Sequence, residues 1–471
     1  MTDAANRDAE FFDALVIGTG QAGTPLAGAL AADGRRTAIV ERGRVGGTCV
    51  LRGCTPTKTM VASARVAHLA RRAADYGVRA GPVSVDLEAV RARKRDIVDA
   101  WSESERKRLE ATDDLDLVFG EARFVAERTV EVALRDGGTR RLTAPWVFLD
   151  TGSRPAIPPV EGLGDVPYLD STSIMELAEV PDHLLVLGGG FVGLEFAQMF
   201  RRFGADVTVV ERGSRLGARE DEDVSNALRQ ILEEDGLRVL TDAEARAVHR
   251  ADEPARIRIS VHGPDGPEDV EGSHVLVAAG RTPNTGRLDL AATGLTADER
   301  GYIRVNGRLE TGVEGIWALG DVTGHPPFTH TSYDDYRIVR ANLLDGGERS
   351  TADRILTYTV FTDPQLGRVG VTEREARNEF REVRVARLAM RRVARAIETD
   401  ETRGFMKAVV DGGSGRILGA AVLGIDGGEL AAMLELAMMG DLRAADLRDA
   451  VLAHPTLAES LNNLFADLSD E

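Results

Sequence analysis

DALVIGTGQAGTPLAGALAADGRRTAIVE occupies residues 13–41. Ala14 to Ile17 is an apolar run that reads as a buried strand. Gly18, Gly20 and Gly23 follow, then a helix of small residues, then a second apolar strand over residues 37–40 that closes on Glu41. Each glycine has a physical task. The first permits the tight turn, the second lets backbone approach a pyrophosphate, and the third lets the helix pack on the sheet. The helix N-terminus offers free N–H groups and partial positive charge to phosphates, and the terminal carboxylate can accept ribose hydroxyls.

The same unit recurs in DHLLVLGGGFVGLEFAQMFRRFGADVTVVE, with Gly188, Gly190 and Gly193 and the acid Glu211. Glu41 stands 23 positions after Gly18, and Glu211 stands 23 positions after Gly188. One such match is weak; two with equal spacing predict two dinucleotide sites in one chain. That pairing implies a flavin dinucleotide and a nicotinamide dinucleotide exchanging a hydride.

Around these units, 471 residues suggest three or four domain-sized pieces. Residues 57–80 and 86–111 read as helices, and residues 117–149 and 255–278 as small antiparallel meanders. VFLDTGSRP (147–155) and VLVAAGRTPN (275–284) read as strands stopped by glycine that cross between domains. Past residue 350, alternating strands followed by helices predict a separate α+β domain. The expected fold is α/β, with two Rossmann-like dinucleotide-binding domains and a C-terminal α+β dimerisation domain. The expected boundaries are 1–150 (first dinucleotide domain), 151–275 (second), 276–349 (central part completing the first site) and 350–471.

A net charge of −18 argues against nucleic acid or an anionic membrane as partner. The N-terminal stretch shows no basic region followed by an apolar one, and no apolar run approaches the roughly 18 residues of a membrane span. The expectation is a cytoplasmic protein without a membrane partner, where a purely structural disulfide is disfavoured.

GGTCVLRGCTPTK (46–58) contains Cys49 and Cys54, the only 2 cysteines in the chain. Five extended residues would span roughly 16 Å, whereas a disulfide needs Cα atoms within about 7 Å. The chain must therefore turn between them, and Gly53 allows it. Thr55 suits an N-cap and Pro56 a first helical position, which sets Cys54 at a helix mouth where a thiolate is favoured. A redox-active pair is the main reading; half of a zinc site or two free core cysteines are the alternatives. Because the pair follows the first glycine unit, that unit is assigned FAD.

GGTCVLRGCTPTK, GGGFVGLE (188–195), AGRTPN (279–284), GDV (320–322) and HPTLAE (454–459) together resemble the pyridine nucleotide–disulfide oxidoreductases, the flavoprotein family of glutathione reductase, dihydrolipoyl dehydrogenase and mercuric reductase. The resemblance covers essentially the whole chain. It implies that Cys54 is the thiolate beside the flavin and that Cys49 attacks the substrate. It pairs Lys58 with Glu195 near the flavin N5, places Asp321 on the ribityl chain, and aims the helix opened by Thr329 and His330 at the flavin N1–C2 carbonyl. Gly47, Thr48, Thr151, Gly152 and Gly280 join the cofactor-binding set, and Phe191 becomes a gate over the flavin. His454, oriented by Glu459, supplies the proton from the other subunit of a homodimer, with His454–Pro455 read as a cis bond.

Glu211 favours NADH over NADPH; Arg212, Arg215 and Arg219 nearby carry the NADPH alternative. CTPTK and FTHTSYDDYRIVRANLL (328–344) resemble the mercuric reductase branch and bacterial flavin reductases linked to reactive-chlorine resistance. The lack of further cysteines predicts poor mercuric-ion turnover. The expected activity is electron transfer from NAD(P)H through FAD and the cysteine pair to a small disulfide, a reactive sulfur species or a soft metal ion. A dihydrolipoyl dehydrogenase or glutathione-type reductase is one alternative, and a flavin-binding redox sensor another.

Overall fold

The computed structural model describes residues 9–251 and 256–468. The chain forms two compact units, Met1–Thr59 with Ala89–Ala156 and Gly280–Arg354, and Met60–Glu88 with Ile157–Ala279 and Ile355–Glu471.

The first unit is built on an eight-stranded sheet. Its order is Glu10–Phe11, Thr139–Thr143, Thr129–Leu134, Leu115–Ala126, Thr37–Glu41, Ala14–Ile17, Trp146–Leu149, Ile316–Ala318. Ala14 and Val16 pack with Leu26, Ala27 and Leu30 of helix Gly23–Ala32. Leu15 and Ile17 face the opposite way, into a cluster with Phe124, Val130 and Leu149. A strand covered on both faces needs an unbroken apolar run, which is why ALVI reads so clearly.

Two expectations need correction. Residues 115–143 form the antiparallel meander, but Leu115–Ala126 also pairs parallel with Thr37–Glu41, and Trp146–Leu149 pairs parallel with Ala14–Ile17. Alternating polarity alone does not reveal strand direction. The 57–80 helix in fact spans Cys54–Arg71, followed by a 3₁₀ turn at Ala73–Tyr76.

In the second unit, a parallel sheet runs in the order Arg238–Leu240, Asp206–Val210, His183–Leu187, His274–Val277, Tyr168–Leu169. Glu244–Arg250, Ile257–Gly263 and Gly266–Gly272 make the second antiparallel meander. Its first strand was not legible in the sequence, and residues 274–277 belong to the parallel sheet instead. The C-terminal sheet is antiparallel, in the order Thr357–Val360, Gln365–Gly370, Ile417–Gly424, Phe405–Asp411, Val383–Ala389. Leu430, Leu434, Leu461 and Phe465 from later helices pack on it. Among the described residues, no helix is long and apolar enough to cross a membrane.

A buried polar cluster also lies within this unit. Arg368 donates to Glu220 (Nε to Oε2 3.0 Å), and the Tyr358 hydroxyl donates to the same carboxylate. Arg368 and Glu220 are 1% and 0% exposed. Arg368→Leu strands a buried carboxylate, so it is expected to cost about 3–5 kcal/mol, read as a lower urea midpoint. Replacing both partners by leucine should restore most of that loss; an unchanged midpoint in the single variant would contradict this.

Candidate active site

The two glycine turns are near copies of one another. Gly18 has φ +111° and Gly188 φ +115°; a Cβ on Gly18 would lie 2.1 Å from the Asp150 carbonyl oxygen, and one on Gly188 2.5 Å from that of Ala278. Only glycine fits such turns. Glu41 accepts from Thr19 N (3.2 Å), Thr19 Oγ1 (2.6 Å) and Gly43 N (2.6 Å). Glu211 accepts from Gly189 N (2.6 Å) and Gly213 N (2.5 Å). Each carboxylate is thus clamped by backbone at its strand end, beside the glycine turn.

The residues fit a dinucleotide in each unit. Thr151 Oγ1 is buried with no hydrogen-bond partner among the described residues. A Cβ on Gly190 would meet nothing within 4 Å, which leaves the backbone open to a ligand at the head of helix Phe191–Phe203. Gly23 is the first residue of helix Gly23–Ala32, three positions after Gly20, and Gly193 packs against the Gly188 carbonyl. Arg212 and Arg219 are exposed and Arg215 is half-buried.

The cysteine segment is seated on the first turn. Gly46 N donates to Thr19 Oγ1 (3.3 Å), and a Cβ on Gly47 would come 2.8 Å from Gly20 Cα. Gly47, Thr48 and Cys49 lie on a short helix, Gly47–Leu51, that the sequence reading missed. The chain turns at Arg52–Gly53, and Cys54 is itself the first residue of helix Cys54–Arg71. The expected Thr55 cap and Pro56 first position are therefore displaced inward, because the helix starts directly at the turn. The helix-mouth placement of Cys54 stands.

The side chains of the two cysteines hydrogen-bond to each other. Cys54 Sγ lies 3.3 Å from Thr329 Oγ1. The hydrogen bond with Cys54, followed by burial and the neighbouring Cys54 charge, drives the Cys49 thiol well above the ordinary range, against a smaller pull from Thr329 and Lys58. Cys54 stands at the N-terminus of its helix, a position that favours a thiolate. Lys58 follows one helical turn after Cys54, and Thr329 and His330 open helix Thr329–Leu343. The His330 ring stacks on Phe328 at 5.5 Å.

Asp321 accepts from Ser153 Oγ and lies 3.6 Å from Arg281 Nε. Asn284 Nδ2 donates to the Thr151 carbonyl (2.9 Å), and Asn284 N donates to that of Gly152 (3.0 Å). Gly280, at φ +122°, precedes strand Arg281–Pro283, which pairs with Ser153–Pro155.

In the second unit Glu195 is buried and accepts from Phe361 N (2.8 Å). Phe191 packs on Tyr358 at 5.4 Å between ring centres. His454 Nδ1 lies 2.8 Å from Glu459 Oε2, the histidine side chain is 68% exposed, and the His454–Pro455 bond is cis. The sequence reading missed Asp150, Ser153, Arg281 and Tyr358. Asp150 alone carried a signal, as a charged residue ending the apolar run WVFL.

Residues 12–335 match the family model for pyridine nucleotide-disulphide oxidoreductase, and residues 356–465 match that family's dimerisation domain. The chain belongs to this family. The oxidoreductase is 36% identical to a probable pyridine nucleotide-disulfide oxidoreductase, RclA of Escherichia coli, over 97% of this chain and 99% of that one. It is 37% identical to a mercuric reductase of Streptomyces lividans, over 96% and 94%. Its fold superposes with a TM-score of 0.88 on the Cu(II) complex of the HOCl-induced flavoprotein disulfide reductase RclA from E. coli, at 35% identity, covering 97% and 99% of the two chains. This oxidoreductase is accordingly a flavoprotein disulfide reductase with a dimerisation domain, as the motifs implied.

Proposed function

We propose that the enzyme carries an electron pair from NADH to the Cys49–Cys54 pair and on to a small soft electrophile, either a reactive sulfur species or a soft metal ion. The observation that carries this is the cysteine pair seated on the first glycine turn with Thr329 beside Cys54. FAD, when bound, would accept the hydride and deliver the pair to the disulfide. It would be held by the Gly18–Gly23 turn, Glu41, Gly47, Thr48, Thr151, Gly152, Gly280 and Asp321.

The chain's own residues do the rest. Cys54 keeps the negative charge at the helix head. Cys49, whose proton is held tightly, needs a base, and the partner subunit's His454 supplies it, oriented by Glu459. With a sulfur acceptor, the Cys49 thiolate attacks the electrophilic sulfur and expels a leaving group that takes the proton from His454, and the Cys54 thiolate then displaces the bound fragment from Cys49 and re-forms the disulfide. With a metal ion the same re-forming of the disulfide would release two electrons, both to one mercuric ion or one each to two cupric ions.

The test is turnover with hypothiocyanite, cupric and mercuric ions, lipoamide and glutathione disulfide. Hypothiocyanite or cupric ion should exceed lipoamide and glutathione disulfide by at least about tenfold. The reverse ratio would favour a dihydrolipoyl dehydrogenase or glutathione-type reductase, and slow oxygen consumption alone would favour a sensor. The Cu(II) complex of RclA supports the metal arm. With Glu211 clamped at its strand end, NADH should exceed NADPH in kcat/KM by about tenfold or more, because a carboxylate repels the 2′-phosphate. Glu211→Ala should narrow that ratio; an NADPH preference in the native enzyme would hand the role to Arg212, Arg215 and Arg219.

A further inference from the structure

Asp150 ends strand Trp146–Leu149 in the first unit and lies under the first glycine turn. Its carboxylate is enclosed by three glycines. A Cβ on Gly20 would come 2.5 Å from Asp150 Oδ2, one on Gly23 2.9 Å from the same oxygen, and one on Gly320 3.0 Å from Oδ1. Oδ2 accepts from Gly23 N at 2.7 Å. The carboxylate thus caps the N-terminus of helix Gly23–Ala32, the end that the Gly18–Gly23 fingerprint reserves for a pyrophosphate. Two anions cannot both be well stabilised by one helix end.

We propose that Asp150 takes up a proton from solvent when FAD binds, so that the neutral acid forms the floor of the dinucleotide cradle. This rests on the FAD assignment above.

The surroundings already weaken the ionised form before the cofactor arrives. Burial, and then the charges of Asp321 and Asp335, push Asp150 well above the usual carboxylate range, while the amides of Gly23 and Ala22 pull it down. Asp335 is itself bonded by Gly320 N (2.8 Å) and Arg354 (2.6 Å), with His325 nearby. Arg281 stands 3.6 Å from Asp321. The cations on these elements are thus engaged with the other two acids. The glycine turn that covers Asp150 brings backbone amides and no charged side chain.

The linkage sign follows. A group that gains a proton on binding makes binding tightest at low pH. Affinity then falls by up to about tenfold per pH unit once Asp150 is ionised in the flavin-free protein. The experiment measures FAD affinity of the full chain by flavin fluorescence between about pH 6 and 9, together with calorimetry in two buffers of different ionisation heat. The native protein should weaken by at least about tenfold across that range and take up close to one proton. Asp150→Asn should bind FAD with little pH dependence, take up no proton, and exceed the native protein at the alkaline end. Equal pH slopes in both, or no proton uptake by the native protein, would overturn the inference. If Asp150→Asn fails to fold, native proton uptake alone decides. A chain that binds no FAD at any pH would instead sink the FAD assignment.

Discussion

Cys49→Ser is expected to lose acceptor turnover by at least about 10³-fold while leaving reduction by NADH intact. The reason lies in how the pair shares its proton and charge. Cys49 is half-buried and its thiol is driven upward by the hydrogen bond with Cys54. Cys54 opens an 18-residue helix and faces Thr329. On the proposed mechanism the resting thiolate belongs to Cys54. Cys49→Ser should keep the long-wavelength absorbance of a thiolate beside the flavin, and Cys54→Ser should lack it. The opposite pattern would exchange the two roles. A serine at either position also removes the disulfide, so the spectrum, rather than the rate, separates them.

The second large effect is expected at His454. A positioned acid–base group contributes about 10²–10⁴-fold, and His454→Ala should lose acceptor turnover within that range. The side chain is 68% exposed, so the unfolding midpoint should stay unchanged. Glu459 holds Nδ1 at 2.8 Å and 3.1 Å through its two oxygens, which acts on ring orientation. Glu459→Gln should therefore loosen the ring and cost less than His454→Ala.

The proposed sharing of the site between subunits has its own signature. Cys49→Ser chains mixed equally with His454→Ala chains should regain about a quarter of native activity, because half the dimers are mixed and each has one complete site. No recovery on mixing would place the histidine and the cysteines in the same chain.

How far the sequence could be read depended on the range of each interaction. The two glycine units were legible because their demands are local. A φ near +110° at Gly18 and Gly188, and a helix start directly afterwards, constrain residues only a few positions apart. The apolar strands beside them read clearly because both faces are covered. The cysteine spacing exposed the turn but misplaced the helix start, since Thr55 and Pro56 suit a cap wherever the turn leaves room, and the turn ended sooner. Glu244–Arg250 was invisible because its residues are largely polar.

The sequence by itself determined that two dinucleotide turns, one close cysteine pair and a terminal His–Glu dyad occur in this chain, because steric limits on backbone and i-to-i+n spacing act without knowledge of topology. Only the tertiary structure decided what surrounds them. Thr329 meets Cys54 across 275 positions, Arg368 meets Glu220 across 148, and Asp150 meets Gly23 across 127. Such contacts leave no periodic trace in the chain. They arise where the topology brings distant strand ends, turns and helix starts together, and there burial makes the charge of a single carboxylate depend on every neighbour it acquires.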